Sequence, residues 1–357
     1  MRAVALGIVF STVVLLTAGC GIERQIVDDI SLVTAVGYDP AKGNKIQGTI
    51  AVPNFQAEGT VMTEIFSDTA MLMRENSAKL NTEANRPLAI GKLEVILFNQ
   101  ELAKDGIQKL KDVFVRDPSI GSRARLAITE SSTKEILTRQ YWDNDAGMYL
   151  SDMLEQNIDR GTIPQTNLHL FVYALYSKGA DPFLPYLSVE DMVSIDGIAL
   201  MDHDRYVGKI PYEQTYTFNS LVGDFQNATF PIHRGDKKSA TISNISSERT
   251  IHFKGEGKDM ELVIEVEQKG ILREYRGGKI TKNVLKNVEE KMEKQMEKQA
   301  KDILKKLKEL NIDPLALGNE YHSEHRNFSW KEWEQMYPEL KFTPKIDVKI
   351  MEYGIRR

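Results

Sequence analysis

The residue with the clearest chemistry in this sequence is Cys20, the only cysteine of the 357-residue chain. Leu16-Thr17-Ala18-Gly19 precede it, with Thr17 where leucine is usual. Small residues directly before a cysteine suit signal peptidase II, which cleaves after a diacylglyceryl group has been joined to the thiol. The alternative is a buried free thiol, since unpaired cysteines are often small core residues. We predict that Cys20 is lipidated and that residues 1–19 are a signal peptide.

The residues before Cys20 also have the layout of a secretory signal. Arg2 precedes an apolar run from Val4 to Ala18, which is short for a membrane span. No later run approaches the ~20 apolar residues that a spanning helix needs. A lone cysteine allows no internal disulfide and no cysteine cluster for a metal. The mature chain must therefore be stabilised by its core, and its length suits two or three domains.

The charge of the chain limits its partners. The formal net charge is −5, so neither nucleic acid nor a polybasic attachment to a membrane is expected. A diacylglyceryl group carries at least two acyl chains, which is enough for stable anchoring. Membrane lipid, reached through Cys20, is therefore the partner that the residues themselves predict.

One short motif resembles a nucleophile site. Ser131-Ser132-Thr133-Lys134 satisfies S-x-x-K, the nucleophile motif of penicillin-binding proteins, but the S-D-N and K-T-G partners of that motif are missing. Ser132 and Glu135 also form the S-x-x-E pattern of a capping box, which would start a helix through Ile136 and Leu137. We favour the helix start and predict no catalytic residues.

A second group combines histidines and aromatic residues near the C-terminus. His322 and His325 are three residues apart and could share a helical face that holds a metal, but no H-E-x-x-H pattern is present. Trp330 and Trp333 could form a stacking platform for a ligand, although such spacing is more typical of core aromatics. We predict a polar surface segment and core aromatics here, with no metal and no cofactor.

The first part of the mature chain predicts a mixed sheet covered by helices. Val, Ile and Thr are frequent in 31–38 and 45–52, which flank turn residues and predict a β-hairpin. Further elements are predicted as a helix opened by Ser67-Asp68 and stopped before Pro87, a strand at 93–98, a helix at 101–115 and a strand at 125–129. The order β-β-α-β-α-β favours helices on a mixed sheet up to about residue 180.

The rest of the chain predicts two further modules. Residues 179–185 look like a connection, followed by a hairpin at 198–210 and a helix from Tyr212 to Phe225. Strands near 240–245, 249–253 and 261–268 precede a long amphipathic helix at 283–310, and 345–351 alternates like a strand. We expect the C-terminal sheet to be antiparallel with helices on one face.

These elements predict an α+β protein of three domains with antiparallel or mixed sheets. The predicted parts are the signal peptide 1–19, an N-terminal domain 20–183, a middle domain 184–230 and a C-terminal domain 231–357. From residue chemistry alone, the protein is an anchored binding or assembly protein.

Three stretches resemble the Ger(x)C family, the C-subunit lipoproteins of GerA-type germinant receptors in endospore-forming bacteria. The first is 30–39 (ISLVTAVGYD), shortly after Cys20. The most specific is 91–98 (GKLEVILF), followed by 101–107 (ELAKDGI) and 114–118 (FVRDP). The third consists of 197–200, 207–208 and the end of the chain. At that end the family's order is kept by Trp330, Trp333, Phe342, the strand with Ile346, Val348 and Ile350, and Gly354.

The resemblance implies a function that the residues alone do not show. It implies a non-enzymatic lipoprotein on the outer face of the spore inner membrane, assembled with two integral membrane subunits into a receptor that starts germination when nutrients appear. Family members have no assigned catalytic residues, so none is carried over. The alternatives are a lipid-anchored envelope enzyme, a chaperone and a solute-binding lipoprotein.

Overall fold

The computed structural model describes residues 29–43, 45–55, 60–71, 73–107, 117–234, 237–255, 260–325 and 328–353. Its strands are β1 (Ser31–Leu32), β2 (Ala35–Ala41), β3 (Lys45–Phe55), β4 (Val61–Ala70), β5 (Leu88–Ala89), β6 (Val95–Asn99), β7 (Arg125–Thr129), β8 (Phe183–Val189), β9 (Val193–Asp202), β10 (Arg205–Pro211), β11 (Thr229–Arg234), β12 (Lys237–Lys254), β13 (Glu261–Tyr275) and β14 (Lys341–Tyr353). Its α-helices are α1 (Met73–Glu83), α2 (Gln100–Lys104), α3 (Thr133–Thr138), α4 (Ala146–Asp159), α5 (Leu168–Tyr176), α6 (Thr215–Val222), α7 (Lys282–Leu310), α8 (Leu317–Glu324) and α9 (Trp330–Met336). The predicted α+β class is confirmed.

The described residues form an eight-stranded sheet of order β10-β9-β8-β7-β6-β2-β3-β4, a four-stranded sheet of order β11-β12-β13-β14 and a small pair, β1 with β5. In the large sheet, β2, β6, β7 and β8 run parallel, and the hairpins at both edges are antiparallel. The predicted hairpin of β2 and β3 and the predicted strand β7 are confirmed.

The predicted helix start at Ser67-Asp68 is wrong. Both residues lie in β4, which pairs along its whole length with β3, and Ser67 lies opposite Thr49. β-branched and aromatic residues precede this point, and pairing with a long neighbour outweighs the weak local helix signal. The helix begins only at Met73. Of the helix predicted over 101–115, the structure describes α2, whereas residues 108–116 lie outside the described part.

The large sheet continues across the predicted boundary after residue 183. β8, β9 and β10 belong to the predicted middle domain, yet β8 pairs with β7 through Ile128 and Tyr186. The predicted hairpin is confirmed as β9 and β10. The division into 20–183, 184–230 and 231–357 stays a prediction, but its first two parts share one sheet.

The prediction that the C-terminal sheet is antiparallel is wrong for one pair of strands. β11, β12 and β13 are antiparallel, but β14 pairs parallel with β13, from Glu261 with Lys341 onward. The reason is α7, which runs back along the sheet between the two strands and returns the chain to the end where β13 began. The strands predicted at 240–245 and 249–253 are one strand, β12, with a register shift between Asn244 and Ser246.

The long helix lies against the four-stranded sheet, as its stripe predicts. It begins after Thr281, whose side chain accepts from the Val284 N–H, and ends at Asn311 in the left-handed conformation. Its buried side chains are Val288, Met292, Met296, Ala300, Ile303, Leu304 and Leu307. Within the described part of the chain, no helix combines the length and apolar character needed to cross a membrane.

The two sheets share one apolar core. Ala35, Val95 and Leu97 on one face of the large sheet belong to the same buried cluster as Leu262 and Met296 around the small sheet. A second cluster on the other face of the large sheet includes Ile96, Phe98, Leu80 of α1 and Phe171 of α5. The large sheet, the small sheet and α7 are therefore packed into one body.

Candidate functional site

Cys20 lies outside the described residues, so its lipidation stays a prediction. The described residue that follows it most closely is Asp29, which leads into β1 and β2. The candidate site that the structure does describe lies where the segment between α5 and β8 meets the segment after α7.

A cleft of about 580 Å³ opens at this meeting point, and we call it the junction cleft. One wall comes from the predicted connection 179–185 and from the tip of the β9–β10 hairpin. The other wall comes from residues 310–313 and from α9 with the turn after it. Its lining includes Gly179, Asp181, Asp202, His203, Asp313, Trp330, Trp333 and Tyr337.

Two aspartates join the walls of the junction cleft by hydrogen bonds of the backbone and of the Asp181 carboxylate. The Asp181 N–H donates to the Asp313 carbonyl oxygen at 2.9 Å, and the Asp313 N–H donates to Asp181 Oδ2 at 2.8 Å. The other carboxylate oxygen of Asp181 accepts the His203 N–H at 3.2 Å. Asp181 therefore fixes three segments of the chain together.

The carboxyl group of Asp313 is buried beneath the cleft and starts α8. Its oxygens accept the N–H groups of Leu317 and Gly318 at 3.0 and 2.8 Å. Burial raises the pKa of Asp313 to about 7, although these two hydrogen bonds and nearby Arg249 act in the opposite direction. Burial also raises the pKa of Asp181. Desolvation disfavours the charged form of a carboxyl group, which explains both shifts.

Two glycines allow the walls to approach each other closely. A Cβ on Gly179 would lie 2.6 Å from Cζ3 of Trp330 and 2.7 Å from the Asn319 nitrogen. A Cβ on Gly318 would lie 2.9 Å from the Gly179 Cα and 2.7 Å from Nε1 of Trp333. The contact between the segment before β8 and helix α8 therefore requires residues without side chains.

Asp181, Asp202 and His203 form a group that could offer ligands to a cation. One ligand atom from each lies within 4.8 Å of the others, the one such set found among the described residues. Nδ1 of His203 lies 2.8 Å from Oδ1 of Asp202, and this contact raises the pKa of His203. Both oxygens of Asp181 already accept backbone N–H groups, so its geometry serves the junction. Sequence reasoning missed this group because a connection and a hairpin tip meet only in the fold.

The structure separates the roles of the C-terminal histidines and tryptophans. His325 stacks on Tyr321 at 3.8 Å between ring centroids, whereas His322 contacts the rings of Phe328 and Trp330. Trp333 is a buried core residue, but Trp330 is half-buried and lines the junction cleft. The predicted core position is confirmed for Trp333, and the two histidines take part in an aromatic cluster.

A helix does start at the S-x-x-K segment, as predicted, but the residue that caps it is not the predicted one. Helix α3 begins after Ser132, but the Ser132 side chain does not cap it; its hydroxyl donates to Asp39 at 2.9 Å. The buried Asp39 carboxylate from β2 accepts the N–H groups of Thr133 and Lys134 at 2.8 and 3.0 Å. The predicted capping box is therefore wrong, because a carboxylate from a neighbouring strand takes its place.

The comparisons with known proteins cover both parts of the chain. Residues 23–189 match the family described as spore germination protein N-terminal domain, and residues 196–354 match the family described as spore germination B3/GerAC like, C-terminal. The chain is 30% identical to the spore germination protein GerQC of Bacillus cereus over 94% of this chain and 95% of that protein. It is 20% identical to the putative spore germination protein YfkR of Bacillus subtilis (strain 168), over 96% and 94% of the two chains.

A solved structure shares the fold. The crystal structure of the GerBC protein matches with a TM-score of 0.56 and 19% identity, covering 88% of this chain and 96% of that one. The family matches, the relative at 30% identity and the shared fold agree along nearly the whole length. The chain therefore belongs to the Ger(x)C family of spore germination proteins.

Proposed function

We propose that this protein is the non-enzymatic C subunit of a nutrient germinant receptor, anchored through diacylglyceryl-Cys20 to the outer face of the spore inner membrane. It assembles there with two integral membrane subunits, of the A and B type. Its folded part holds or transmits their response when a nutrient arrives, and germination follows.

The observation that carries this proposal is the agreement of two independent features. The family matches run in order from residue 23 to residue 354, and they begin three residues after the cysteine of a lipoprotein signal. A lipoprotein signal alone would fit many envelope proteins. Together with spore germination relatives along nearly the full length, it supports a membrane-anchored part of the germination apparatus.

The geometry of the fold supports an assembly role. The shared core and the Asp181–Asp313 bonds make the sheets one connected body. A connected body on a lipid anchor can present a fixed surface to membrane partners. The S-x-x-K residues form the start of α3, where the Ser132 hydroxyl donates a hydrogen bond to Asp39. Nothing in that arrangement supports a nucleophile.

The test compares the wild type with Cys20→Ala and with Thr17→Leu, a control that keeps Cys20 and gives the usual lipoprotein signal. Spores grown with labelled fatty acid are fractionated, and the protein is captured from detergent-solubilised inner membranes. We expect label in the wild type and in Thr17→Leu, none in Cys20→Ala, and a weaker nutrient response in Cys20→Ala. The two integral membrane subunits should be captured with the wild type.

Two results would contradict the proposal. An unlabelled wild type that fractionates and germinates like Cys20→Ala would rule out the lipid anchor. A labelled membrane protein captured without integral membrane subunits would favour the alternatives: an envelope enzyme, a chaperone or a solute-binding lipoprotein.

A further inference from the structure

Exposed apolar side chains gather around one end of the large sheet. Phe55 is 74% exposed and Met62 is 52% exposed, on the two strands of the β3–β4 hairpin next to its tip. Trp142 is 66% exposed and Met148 is 42% exposed, just before and within the first turn of α4. We call these four residues the anchor-side surface. Single exposed hydrophobic residues are ordinary, but a group of large ones marks an interaction site.

The anchor-side surface surrounds the point where the chain enters the sheet. Thr34 directly precedes β2, and its N–H donates to the Ala51 carbonyl at 3.0 Å, so the end of β3 lies beside it. The Thr34 hydroxyl donates to Asp145 Oδ2 at 2.5 Å, and the Ala146 N–H donates to Thr63 Oγ1 at 2.9 Å. The start of α4 and the start of β4 therefore meet at Thr34.

The distance along the chain limits how far this end can lie from Cys20. Eight residues lie between Cys20 and Asp29, and the nine steps from one to the other span only about 30 Å even in a fully extended chain. A lipid on Cys20 therefore keeps this end of the sheet near the bilayer, whatever path the intervening residues take. The opposite end of the sheet is not under the same restriction.

Trp142 combines an exposed indole ring with an unusual backbone conformation. Its φ of +50° lies in the left-handed region, which bulky residues rarely adopt. The ring contacts Tyr149 with centroids 5.8 Å apart, and Tyr149 stacks on the buried Tyr141 at 4.4 Å. A backbone conformation of this kind is strained and persists only where the surrounding structure enforces it. At Trp142 it occurs at a residue with an exposed side chain. Tryptophan favours the boundary between bilayer and water.

We propose that the anchor-side surface lies directly on the lipid bilayer, with Phe55, Met62, Trp142 and Met148 at the level of the headgroups and upper acyl chains. This proposal rests on the lipid anchor of the proposed function and adds an orientation to it. Glu64 and Asp143 are exposed beside the surface, so the attraction comes from apolar side chains rather than from anionic headgroups.

The experiment uses the fact that lipidation blocks the only native thiol. Met62→Cys and Met148→Cys each introduce one reactive thiol into the full lipidated chain, and Met192→Cys is the matched control. Met192 is 39% exposed in the turn after β8. Because β8 runs parallel to β2 within the sheet, that turn lies at the end opposite to Thr34.

Each variant is labelled with a maleimide fluorophore and placed in vesicles of phosphatidylcholine and phosphatidylglycerol at a ratio of about 3:1, a composition chosen for its anionic surface. Quenching by lipids with a doxyl group high on the acyl chain is compared with quenching by aqueous iodide. We expect the labels at 62 and 148 to be quenched at least threefold more by the doxyl lipid than the label at 192. Iodide should show the opposite order.

Three results would overturn the proposal, and they are distinguishable. Equal quenching at all three positions, with an unreactive wild type, rejects the orientation and leaves the lipid anchor in place. A wild type that reacts with the maleimide has a free Cys20, which contradicts the proposed function and this proposal with it. Labels at 62 and 148 that become protected only when the integral membrane subunits are present assign the surface to a protein partner.

Discussion

Asp181 and Asp313 lie 132 residues apart in the chain and are joined by two hydrogen bonds, at 2.9 and 2.8 Å. One is between backbone atoms, and the other uses the Asp181 carboxylate as acceptor. The same carboxylate accepts the His203 N–H. The predicted connection between domains is therefore a fixed contact, and its strength can be measured.

Removing the Asp181 carboxylate should loosen this contact. Asp181→Ala leaves the N–H groups of Asp313 and His203 without their acceptor, and an unsatisfied donor typically costs about 1–3 kcal/mol. We expect the free energy of unfolding in urea to fall by about that amount. Asp202→Ala is the control, because that carboxylate is exposed and contacts only the His203 ring within this group. An equal loss in both variants would contradict a special role for Asp181.

The buried Asp313 should make stability depend on pH. Its folded pKa of about 7 lies above the ordinary 3.8, so the folded state binds the proton more tightly than the unfolded chain does. This contribution is complete below about pH 4 and is lost as pH rises through about 7. We expect the free energy of unfolding to decline over that interval, with a slope of at most about 1.4 kcal/mol per pH unit.

Asp313→Asn tests this dependence against the wild type between pH 4 and pH 8. His203 also has a raised pKa and should lose its contribution above about pH 6.5, in the same direction, but it remains in both proteins. The variant should therefore show a flatter decline between pH 4 and pH 7. Parallel curves would show that folding does not raise the pKa of Asp313.

Gly318 should be intolerant of a side chain although it lies in a helix. Alanine normally stabilises a helix relative to glycine by about 1 kcal/mol. A Cβ here would meet the Gly179 backbone at 2.9 Å and Trp333 at 2.7 Å, and overpacking of this kind costs about 1–3 kcal/mol. We expect Gly318→Ala to lower the unfolding temperature, whereas Gly91→Ala, which has nothing within 4 Å, should not. A stabilised Gly318→Ala would mean that the walls move apart easily.

Two glutamates of α7 should protect the edge of the C-terminal sheet. Glu293 accepts the Val348 N–H at 3.1 Å, and Glu289 accepts the Ile350 N–H at 2.8 Å. Unpaired N–H groups on an edge strand invite pairing with another chain. We expect Glu289→Ala combined with Glu293→Ala to lower stability by about 1–3 kcal/mol and to promote association.

Light scattering during mild heating measures that association. Glu290→Ala is the control, since the exposed Glu290 lies on the same helix. If the double variant and the control scatter alike, the two glutamates do not protect the edge.

The sequence by itself determined the elements whose pattern is local and strong. Helix α7 has a stripe at helical period with a threonine before it and an asparagine after it, and its observed bounds differ from the prediction by one residue. The β9–β10 hairpin follows from an apolar run and a polar turn, and the burial of Ile346 and Val348 follows from alternation. The family resemblance rested on short motifs in order along the chain, which the comparisons confirm.

Only the tertiary structure decided which elements share a sheet and which residues meet. Ser67-Asp68 has a local helix signal but lies in β4, because pairing with β3 satisfies more of its backbone. β14 is parallel to β13 because α7 carries the chain back between them. Asp39 starts α3 from 94 residues away, and Asp181 meets Asp313 from 132 away. Such contacts have no local sequence pattern, since they depend on where distant segments are placed by the shared core.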